Sequence, residues 1–230
     1  MSAFPFDAVL FDCDGVLVDS ETITNTVLAT MLGELGWQLS VDETMRLFVG
    51  KAVMDEAAMI EANTGVKIDA DWITRFRARR NAALEQSVAP IPGIEATVRE
   101  LSAQLGGRIA VASGADRIKV RLQLQKAGLL DCFEGKIFSG HELGRNKPSP
   151  DVYLAAADGI GVEPARCAVI EDSVTGATAG IAAGATVFGY SPSDHGHSSH
   201  DALRAVGVSR IFTDMRELPA LLVSWPAGRR

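Results

Sequence analysis

Two carboxylates, Asp12 and Asp14, stand directly after the apolar run Ala8–Phe11 and are followed by Gly15. A continuous apolar run of this length predicts a strand buried on both faces of a parallel sheet. Ligands of open α/β sheets bind beyond the carboxyl ends of the strands, and side chains two residues apart on an extended chain share one side. Two neighbouring acids repel one another unless a cation or a shared proton compensates, so the pair predicts a catalytic or metal-binding site. The alternative interpretation is an Asx turn that closes the strand and leaves Asp14 solvated.

Further polar residues follow the next two apolar runs, at 108–112 and 136–138. Ser113 and Gly114 come after the first of these runs, where a hydroxyl and the amides of small residues at a helix N-terminus form a phosphate cradle. Lys147 follows the second run in a polar loop, and its flexible ammonium can act as a point charge on a phosphoryl oxygen. The alternatives are an ordinary helix cap at Ser113 and a solvated surface lysine at position 147.

A fourth polar segment, Glu171-Asp172-Ser173, follows the apolar run at 167–170. Paired acids at that place can complete an oxygen-ligand site for Mg²⁺, which favours a few carboxylates together with substrate phosphate and water. A helix cap is again the alternative interpretation. Because all four polar segments occur in chain order at successive predicted strand ends, we interpret them as parts of one site.

The elements that position these residues alternate between short apolar runs and longer helical patterns. Strands are predicted at 8–11, 108–112, 136–138, 167–170, 186–188 and 210–212. Helices are predicted near 93–105, 116–127, 150–160 and 175–183. This alternation predicts an α/β fold built on a doubly wound parallel sheet.

The region from residue 17 to residue 90 shows helix signals and no strand pattern. Ser40 and Glu43 have the spacing of a capping box, which predicts the start of a helix. Gly65 is placed as a helix stop. We therefore predict a small all-helical domain at 17–90, inserted into an α/β catalytic core formed by residues 1–16 and 91–230.

The composition is that of an ordinary soluble globular protein, since 47% of the 230 residues are hydrophobic and 22% are charged. The formal net charge of −7 argues against a nucleic-acid partner, whose binding relies on Lys and Arg. No apolar stretch approaches the ~20 residues of a membrane span, and the N-terminus lacks the basic segment of a signal peptide. The 3 cysteines have no metal spacing and suit a reducing compartment. We predict a cytoplasmic protein with no nucleic-acid or membrane partner, and no protein partner is implied.

The four polar segments together resemble the motifs of the haloacid dehalogenase superfamily of phosphohydrolases, in the branch whose helical cap is inserted after the first motif. The matching residues are 12–21, then Ser113-Gly114-Ala115, then Lys147-Pro148, and finally Glu171-Asp172-Ser173. The resemblance spans about residues 7 to 215. It implies a Mg²⁺-dependent phosphatase that has a Rossmann-like core and acts on a small phosphorylated metabolite.

The resemblance also implies a role for each matching residue. Asp12 would attack phosphorus and form an aspartyl phosphate, and Asp14 would act first as general acid and then as general base. The ligands of Mg²⁺ would be Asp12, the main-chain carbonyl of Asp14, Asp172 and, directly or through water, Glu171. The oxygens of the transferring phosphoryl group would be bound by Ser113, Gly114, Ala115 and Lys147.

The cap of such a protein is expected to close over the site and to supply substrate contacts. The turn at Gly50 and Lys51 resembles the specificity loop of the cap, with a solvated lysine as the alternative. Arg79, on the last predicted cap helix, is a candidate contact for a second anionic group such as a sugar carboxylate, with a solvated face as the alternative. The first motif looks most like that of sugar-phosphate and phosphogluconate phosphatases, such as those acting on 6-phosphogluconate, and phosphoglycolate is an alternative substrate.

Other functions match parts of the same pattern. A β-phosphoglucomutase-like isomerase is the nearest alternative, but it carries a histidine after the first motif where residues 21–25 contain none, which favours hydrolysis. The dehalogenases of the superfamily lack the counterpart of Asp14 and use no metal. Receiver domains of signalling proteins also hold an aspartyl phosphate, but they are shorter, have no cap and have no second acid at the position of Asp14.

Overall fold

The computed structural model describes residues 4–192 and 198–226, and the chain divides into two compact units. The first unit comprises Met1–Val18 and Pro90–Arg230, and the second comprises Asp19–Ala89. Residues 1–3, part of the N-terminus in which no signal peptide was predicted, lie outside the described residues, as do 193–197 and 227–230. The sequence placed the helical insert at residues 17–90, and the two units divide within two residues of both limits.

Six of the eight strands in the described part of the chain form one parallel sheet. The strands are β1 (Ala8–Phe11), β2 (Val18–Asp19), β3 (Ala89–Pro90), β4 (Ile109–Ser113), β5 (Ile137–Ser139), β6 (Cys167–Glu171), β7 (Thr186–Tyr190) and β8 (Arg210–Phe212). The order across the large sheet is β5-β4-β1-β6-β7-β8, and every neighbouring pair is parallel. The winding reverses direction at β1, which confirms the predicted doubly wound fold and marks the place where such sheets bind ligands.

The central strands form because their sequences are apolar along their length. Nearly every residue of β1, β4 and β6 is apolar, and all are buried, as expected for a parallel sheet covered on both faces. The register pairs Phe11 with Val111 on one side and with Ile170 on the other. Asp12 and Glu171, which come next along their strands, therefore lie at the same edge of the sheet.

Eleven α-helices lie within the described residues. They are α1 (Glu21–Glu34), α2 (Val41–Phe48), α3 (Ala57–Thr64), α4 (Ala70–Ser87), α5 (Ile94–Gln104), α6 (Arg117–Lys126), α7 (Leu130–Phe133), α8 (Asp151–Gly159), α9 (Val174–Ala182), α10 (His200–Ala205) and α11 (Leu218–Val223). The four helices predicted for the sheet domain are α5, α6, α8 and α9, each within one residue of its predicted limits. None of the described helices has the length and apolar character that a membrane span requires. The cytoplasmic location stays a prediction.

The second unit contains α1 to α4 and has its own apolar core. The predicted capping box opens α2: the Ser40 Oγ accepts from the Glu43 backbone N–H at 3.2 Å, and the Glu43 carboxylate accepts from the Ser40 backbone N–H at 2.8 Å. The predicted stop, Gly65, ends α3 with a φ of 69°, a conformation that suits glycine. The core of this unit includes Leu28, Leu32, Phe48, Ile60, Trp72 and Phe76.

The prediction that residues 17–90 contain no strand is wrong. β2 and β3 pair with one another as a two-stranded sheet at the two places where the chain passes between the units. Each of these strands has only two residues, so neither can show the alternation or the apolar run that identifies a strand in a sequence. Their pairing depends on chain entry and exit lying side by side, which is a property of the folded chain.

Candidate active site

The Lys147 ammonium lies at the centre of a buried hydrogen-bonded network at the carboxyl edge of the sheet. Its Nζ donates to the Asp12 Oδ1 at 2.7 Å, to the Glu171 Oε1 at 2.7 Å and to the Tyr153 hydroxyl at 3.1 Å. Burial acts to lower the pKa of Lys147, but the carboxylates of Asp12 and Glu171 outweigh it and raise that pKa above its ordinary value. Lys147 is therefore a fixed positive charge. It lies in the loop before α8, and its peptide bond to Pro148 is cis.

Asp12, the residue after β1, is buried in spite of its charge. Burial raises the pKa of its carboxyl well above the ordinary value, Lys147 opposes that shift, and the nearby carboxylates of Glu171, Asp172 and Asp14 add to it. The Asp12 backbone N–H donates to the Ile170 carbonyl at 3.0 Å, which fixes the main chain at the strand end. A buried carboxylate among other acids needs compensating positive charge, and Lys147 supplies part of it.

Among the described residues, three acids are close enough together to share a metal ion. Oxygens of Asp12, Glu171 and Asp172 lie within 4.8 Å of one another, and all three residues are buried. A set of carboxylate oxygens without nitrogen or sulfur ligands is the donor chemistry that Mg²⁺ prefers. The residues present therefore fit the cation that the sequence predicted.

Glu171 differs from the other two acids because both of its oxygens are already engaged by protein donors. The Oε1 accepts from the Lys147 Nζ and from the Tyr153 hydroxyl at 2.6 Å. The Oε2 accepts from the Asp172 backbone N–H at 3.1 Å, the Ser173 backbone N–H at 3.2 Å and the Ser173 hydroxyl at 3.0 Å. Five donors use the acceptor capacity of one carboxylate. Burial raises the pKa of Tyr153 well above its ordinary value, so the phenol stays protonated and donates.

The position of Glu171 also requires a glycine on the helix that follows. The first turn of α9 runs past the Glu171 carboxylate, and a Cβ on Gly176 would overlap both of its oxygens and its carboxyl carbon. Ser173 is the N-cap of the same helix, where its Oγ accepts from the Gly176 backbone N–H at 3.0 Å. The helix cap, which was the alternative interpretation of this segment, is therefore present together with the acidic cluster.

Asp14 has a different set of partners from Asp12. Its Oδ1 lies 2.7 Å from the Lys119 Nζ and accepts from the Gln123 Nε2 at 2.7 Å. Lys119 and Gln123 are one turn apart on α6 and are both buried. The Gln123 Oε1 in turn accepts from the Cys13 thiol at 3.3 Å. β1 ends at Phe11, so the extended geometry that would place both acids on one side does not continue to Asp14.

The segment Ser113–Ala115 lies between β4 and α6, where the sequence predicted a phosphate cradle. The buried Ser113 Oγ accepts from the Ala115 backbone N–H at 3.1 Å. The Ser139 hydroxyl donates to the Ala115 carbonyl at 2.6 Å, and the Asn146 side chain donates to the Gly114 carbonyl at 2.9 Å. These contacts hold the segment in place from the end of β5 and from the loop before α8.

The three residues predicted to contact substrate from the cap lie in the helical unit. Gly50 has a φ of 75° in the turn after α2. The Lys51 ammonium lies 3.1 Å from a carboxylate oxygen of Glu56, and the Arg79 guanidinium donates to Glu34 at 2.5 Å. These pairs belong to the helical unit itself, and contact of Gly50, Lys51 and Arg79 with substrate stays a prediction.

Four residues that contact the predicted site residues were not themselves identified from the sequence: Lys119, Gln123, Tyr153 and Ser139. Each lies within or beside a predicted element and outside the four motifs. The only available signal was the spacing of Lys119 and Gln123, which places two polar side chains on the same face of α6 as the buried Val120 and Leu124.

Comparison with known proteins agrees with this geometry. A family model described as haloacid dehalogenase-like hydrolase matches residues 6–184. The chain is 32% identical to the 6-phosphogluconate phosphatase of Escherichia coli K12 over 192 residues, which cover 82% of this chain and 84% of that one. It is 28% identical to the fructose-1-phosphate phosphatase YqaB of the same organism, over 78% of this chain and 93% of that one. A crystal structure of a HAD family hydrolase from Deinococcus radiodurans R1, with bound phosphate and sodium, is 38% identical with a TM-score of 0.75, over 97% of this chain and 100% of that one.

Proposed function

This chain belongs to the haloacid dehalogenase-like hydrolases and is a phosphatase of that family, and from this premise we propose that it hydrolyses sugar phosphates or sugar-acid phosphates through an aspartyl phosphate on Asp12, with Mg²⁺ as cofactor. The buried cluster of Asp12, Glu171, Asp172 and Lys147 at the carboxyl edge of the sheet carries this proposal. The substrate class is supported by relatives named as phosphatases of 6-phosphogluconate and of fructose 1-phosphate.

The Asp12 carboxylate is the nucleophile in this mechanism. Its Oδ1 is held by Lys147, so the carboxylate is oriented before substrate arrives, which is how a positioned nucleophile lowers a barrier. One carboxylate oxygen forms a bond to phosphorus while the bond between phosphorus and the sugar oxygen breaks. The Ser113–Ala115 segment and the Lys147 ammonium face the charge on the phosphoryl oxygens.

Asp14 moves the proton in both halves of the reaction. In the first half, its carboxyl gives a proton to the departing sugar oxygen. In the second half, its carboxylate takes a proton from the water that attacks the aspartyl phosphate, which releases phosphate and restores Asp12. The proton balance closes, because Asp14 ends each cycle protonated as it began.

Mg²⁺ would be held by the carboxylates of Asp12 and Asp172 and by the main-chain carbonyl of Asp14. The bound cation would offset the repulsion between an anionic nucleophile and an anionic phosphate. Glu171 reaches the cation directly only by giving up one of its five protein donors. We therefore assign Glu171 to the support of Lys147 and of the loop at Asp172, where its negative charge would also help to attract the cation.

Phosphate release from a panel of sugar phosphates, sugar-acid phosphates and phosphoglycolate tests the proposal. Turnover is expected with Mg²⁺ and is expected to disappear with a chelator and in Asp12→Asn. The matched control is Asp201→Asn, which makes the same change at a side chain that is 95% exposed and should leave turnover unchanged.

Mass spectrometry of the acid-quenched reaction should find the phosphoryl group on Asp12. Conversion of a sugar phosphate into its positional isomer, without phosphate release, would replace hydrolysis by the mutase alternative. Folded protein that acts on none of the compounds would refute the proposed function.

A further inference from the structure

We propose that Lys119 and Gln123 are positioning residues that hold the Asp14 side chain where it can give its proton to the departing alcohol. This inference rests on the proposed function, because Asp14 needs a fixed position only if it transfers a proton. Two donors that reach one oxygen from successive turns of a helix define where that oxygen lies. The structure shows this arrangement at the Asp14 Oδ1, with both distances at 2.7 Å.

The burial of both donors indicates that the arrangement has a use other than stability. The Lys119 residue is only 5% exposed and Gln123 is fully buried. Burying a charged pair gains little stability compared with apolar side chains of the same size, because desolvation offsets the attraction. A methionine at either position would fill the space without that desolvation cost, so the polar groups are explained by what they do to Asp14.

The clamp formed by Lys119 and Gln123 is connected to the phosphate cradle through the helix that carries both residues. α6 begins two residues after Ala115, and its N-cap, Asp116, accepts from the Lys119 backbone N–H at 3.0 Å. The Arg117 guanidinium at the start of the helix donates to the Ile137 carbonyl at 2.6 Å and forms an ion pair with Glu142. The anchored helix α6 therefore directly follows the Ser113–Ala115 segment, which would bind the phosphoryl group. The same helix carries Lys119 and Gln123, which contact Asp14.

The clamp has a consequence that depends on the leaving group. A sugar alkoxide leaves only when it receives a proton, whereas p-nitrophenolate leaves without one near neutral pH. Loss of the clamp should therefore slow the cleavage of a sugar phosphate more than that of p-nitrophenyl phosphate. The value of kcat/KM reports this step, since it covers the reaction up to departure of the alcohol and excludes hydrolysis of the intermediate.

The experiment compares kcat/KM for 6-phosphogluconate, fructose 1-phosphate and p-nitrophenyl phosphate in Lys119→Met, Gln123→Met and the unmodified chain with Mg²⁺. General acid catalysis contributes about 10²–10⁴-fold, so we expect Lys119→Met to lower the value for the sugar phosphates by ~10²-fold. The value for p-nitrophenyl phosphate should fall by less than about 5-fold, because that step needs little of the proton transfer. Lys126→Met, at an exposed lysine in the last turn of the same helix, is the matched control and should change neither value.

A double-mutant cycle separates positioning from a general effect on the fold. If Lys119 acts through Asp14, then Lys119→Met should lower kcat/KM for the sugar phosphates in the native background and leave it unchanged in Asp14→Asn. Equal losses on both kinds of substrate in folded variants, or equal losses in both backgrounds, would overturn the inference.

The remaining outcomes also decide between the two proposals. Failure of both methionine variants to fold would overturn the inference, because the pair would then be structural. If the unmodified chain is active and the variants keep its ratio of kcat/KM between the sugar phosphates and p-nitrophenyl phosphate, that result would remove the inference and leave the proposed function standing. Inactivity of the unmodified chain on these three substrates and on every compound of the substrate panel would remove both.

Discussion

Replacement of Gly176 by alanine tests whether the Glu171 carboxylate is held in one place. The added methyl group would overlap the carboxylate from the first turn of α9. Gly176 is not among the glycines with a positive φ, so alanine introduces no backbone strain of its own. Alanine at a compatible position of this kind gains about 0.4–1 kcal/mol of stability, so any net loss comes from the collision with Glu171.

The size of the effect follows from what Glu171 must give up to avoid the methyl group. Five hydrogen bonds hold its carboxylate, from Lys147, Tyr153, the Asp172 amide and the two donors of Ser173. Hydrogen bonds to charged groups are each worth about 1.5–3 kcal/mol, so losing two of them costs about 3–6 kcal/mol of unfolding free energy. Folded domains are stable by only about 5–15 kcal/mol, so this loss is a large share of the total.

Urea unfolding followed by circular dichroism, together with turnover per folded molecule, measures both consequences. With a urea slope of about 2 kcal/mol/M, the unfolding midpoint should fall by ~1.5–3 M, and turnover should fall because Lys147 loses one of its two carboxylates. The control is Gly180→Ala, one turn later on α9, where the new Cβ would approach the Val187 and Val169 side chains at 2.9 and 3.0 Å. That variant should lose about 1–3 kcal/mol through overpacking while its turnover per folded molecule stays unchanged. Native stability and native turnover in Gly176→Ala would show that Glu171 moves without cost, which refutes the reasoning.

Two further predictions follow from the buried charges and thiols. Lys147→Met should abolish phosphate release and lower the unfolding free energy by about 3–5 kcal/mol, since Asp12 and Glu171 would be left without the ammonium that they share. Lys147→Arg should recover more of the stability than of the turnover, because a planar guanidinium does not reproduce the three contacts of the ammonium. Equal turnover in Lys147→Arg and the native chain would contradict this prediction. Burial raises the pKa of Cys167 from 9.0 to about 12, so the folded state keeps a proton that the unfolded chain releases, and the stability present below pH 9 should be lost as the pH rises from 9 towards 12. Urea midpoints measured across that range should fall more steeply with pH for the native chain than for Cys167→Ala. The same pH dependence in both proteins would contradict a raised pKa at Cys167.

The strand framework could be predicted from the sequence because the sheet is parallel and covered. In such a sheet a strand appears as an uninterrupted apolar run, and the run at 167–170 was found for this reason. β6 continues one residue further, to Glu171, which still pairs with Gly189 of β7. The acid was placed correctly at the strand end, although a carboxylate in a strand contradicts the pattern that identifies the strand.

The partners of the acids could not be predicted, because they depend on which face of a helix packs over which loop. Lys119 and Gln123 are polar residues on a helix of mixed composition, and such residues are normally assigned to the solvent-exposed face. Their burial follows from α6 packing where the chain turns after β1, and no local pattern encodes that contact. Tyr153 is a similar case. A tyrosine within an apolar helix pattern is normally assigned to the core, and only the folded structure shows that its hydroxyl donates to Glu171.

The contrast between the partners of Asp12 and Asp14 fits the different roles that we propose for two acids so near in sequence. Asp12 shares the Lys147 ammonium with a second carboxylate, Glu171, which leaves the centre rich in negative charge and suited to a divalent cation. Asp14 meets the ammonium of Lys119 and the neutral amide of Gln123, and its carboxylate is not one of the three acids that cluster within 4.8 Å among the described residues. Separate environments for two carboxylates are consistent with the proposal that one acts as nucleophile and the other as proton donor. The proposed division of roles therefore rests on two lysines from different parts of the chain, Lys147 beside Asp12 and Lys119 beside Asp14.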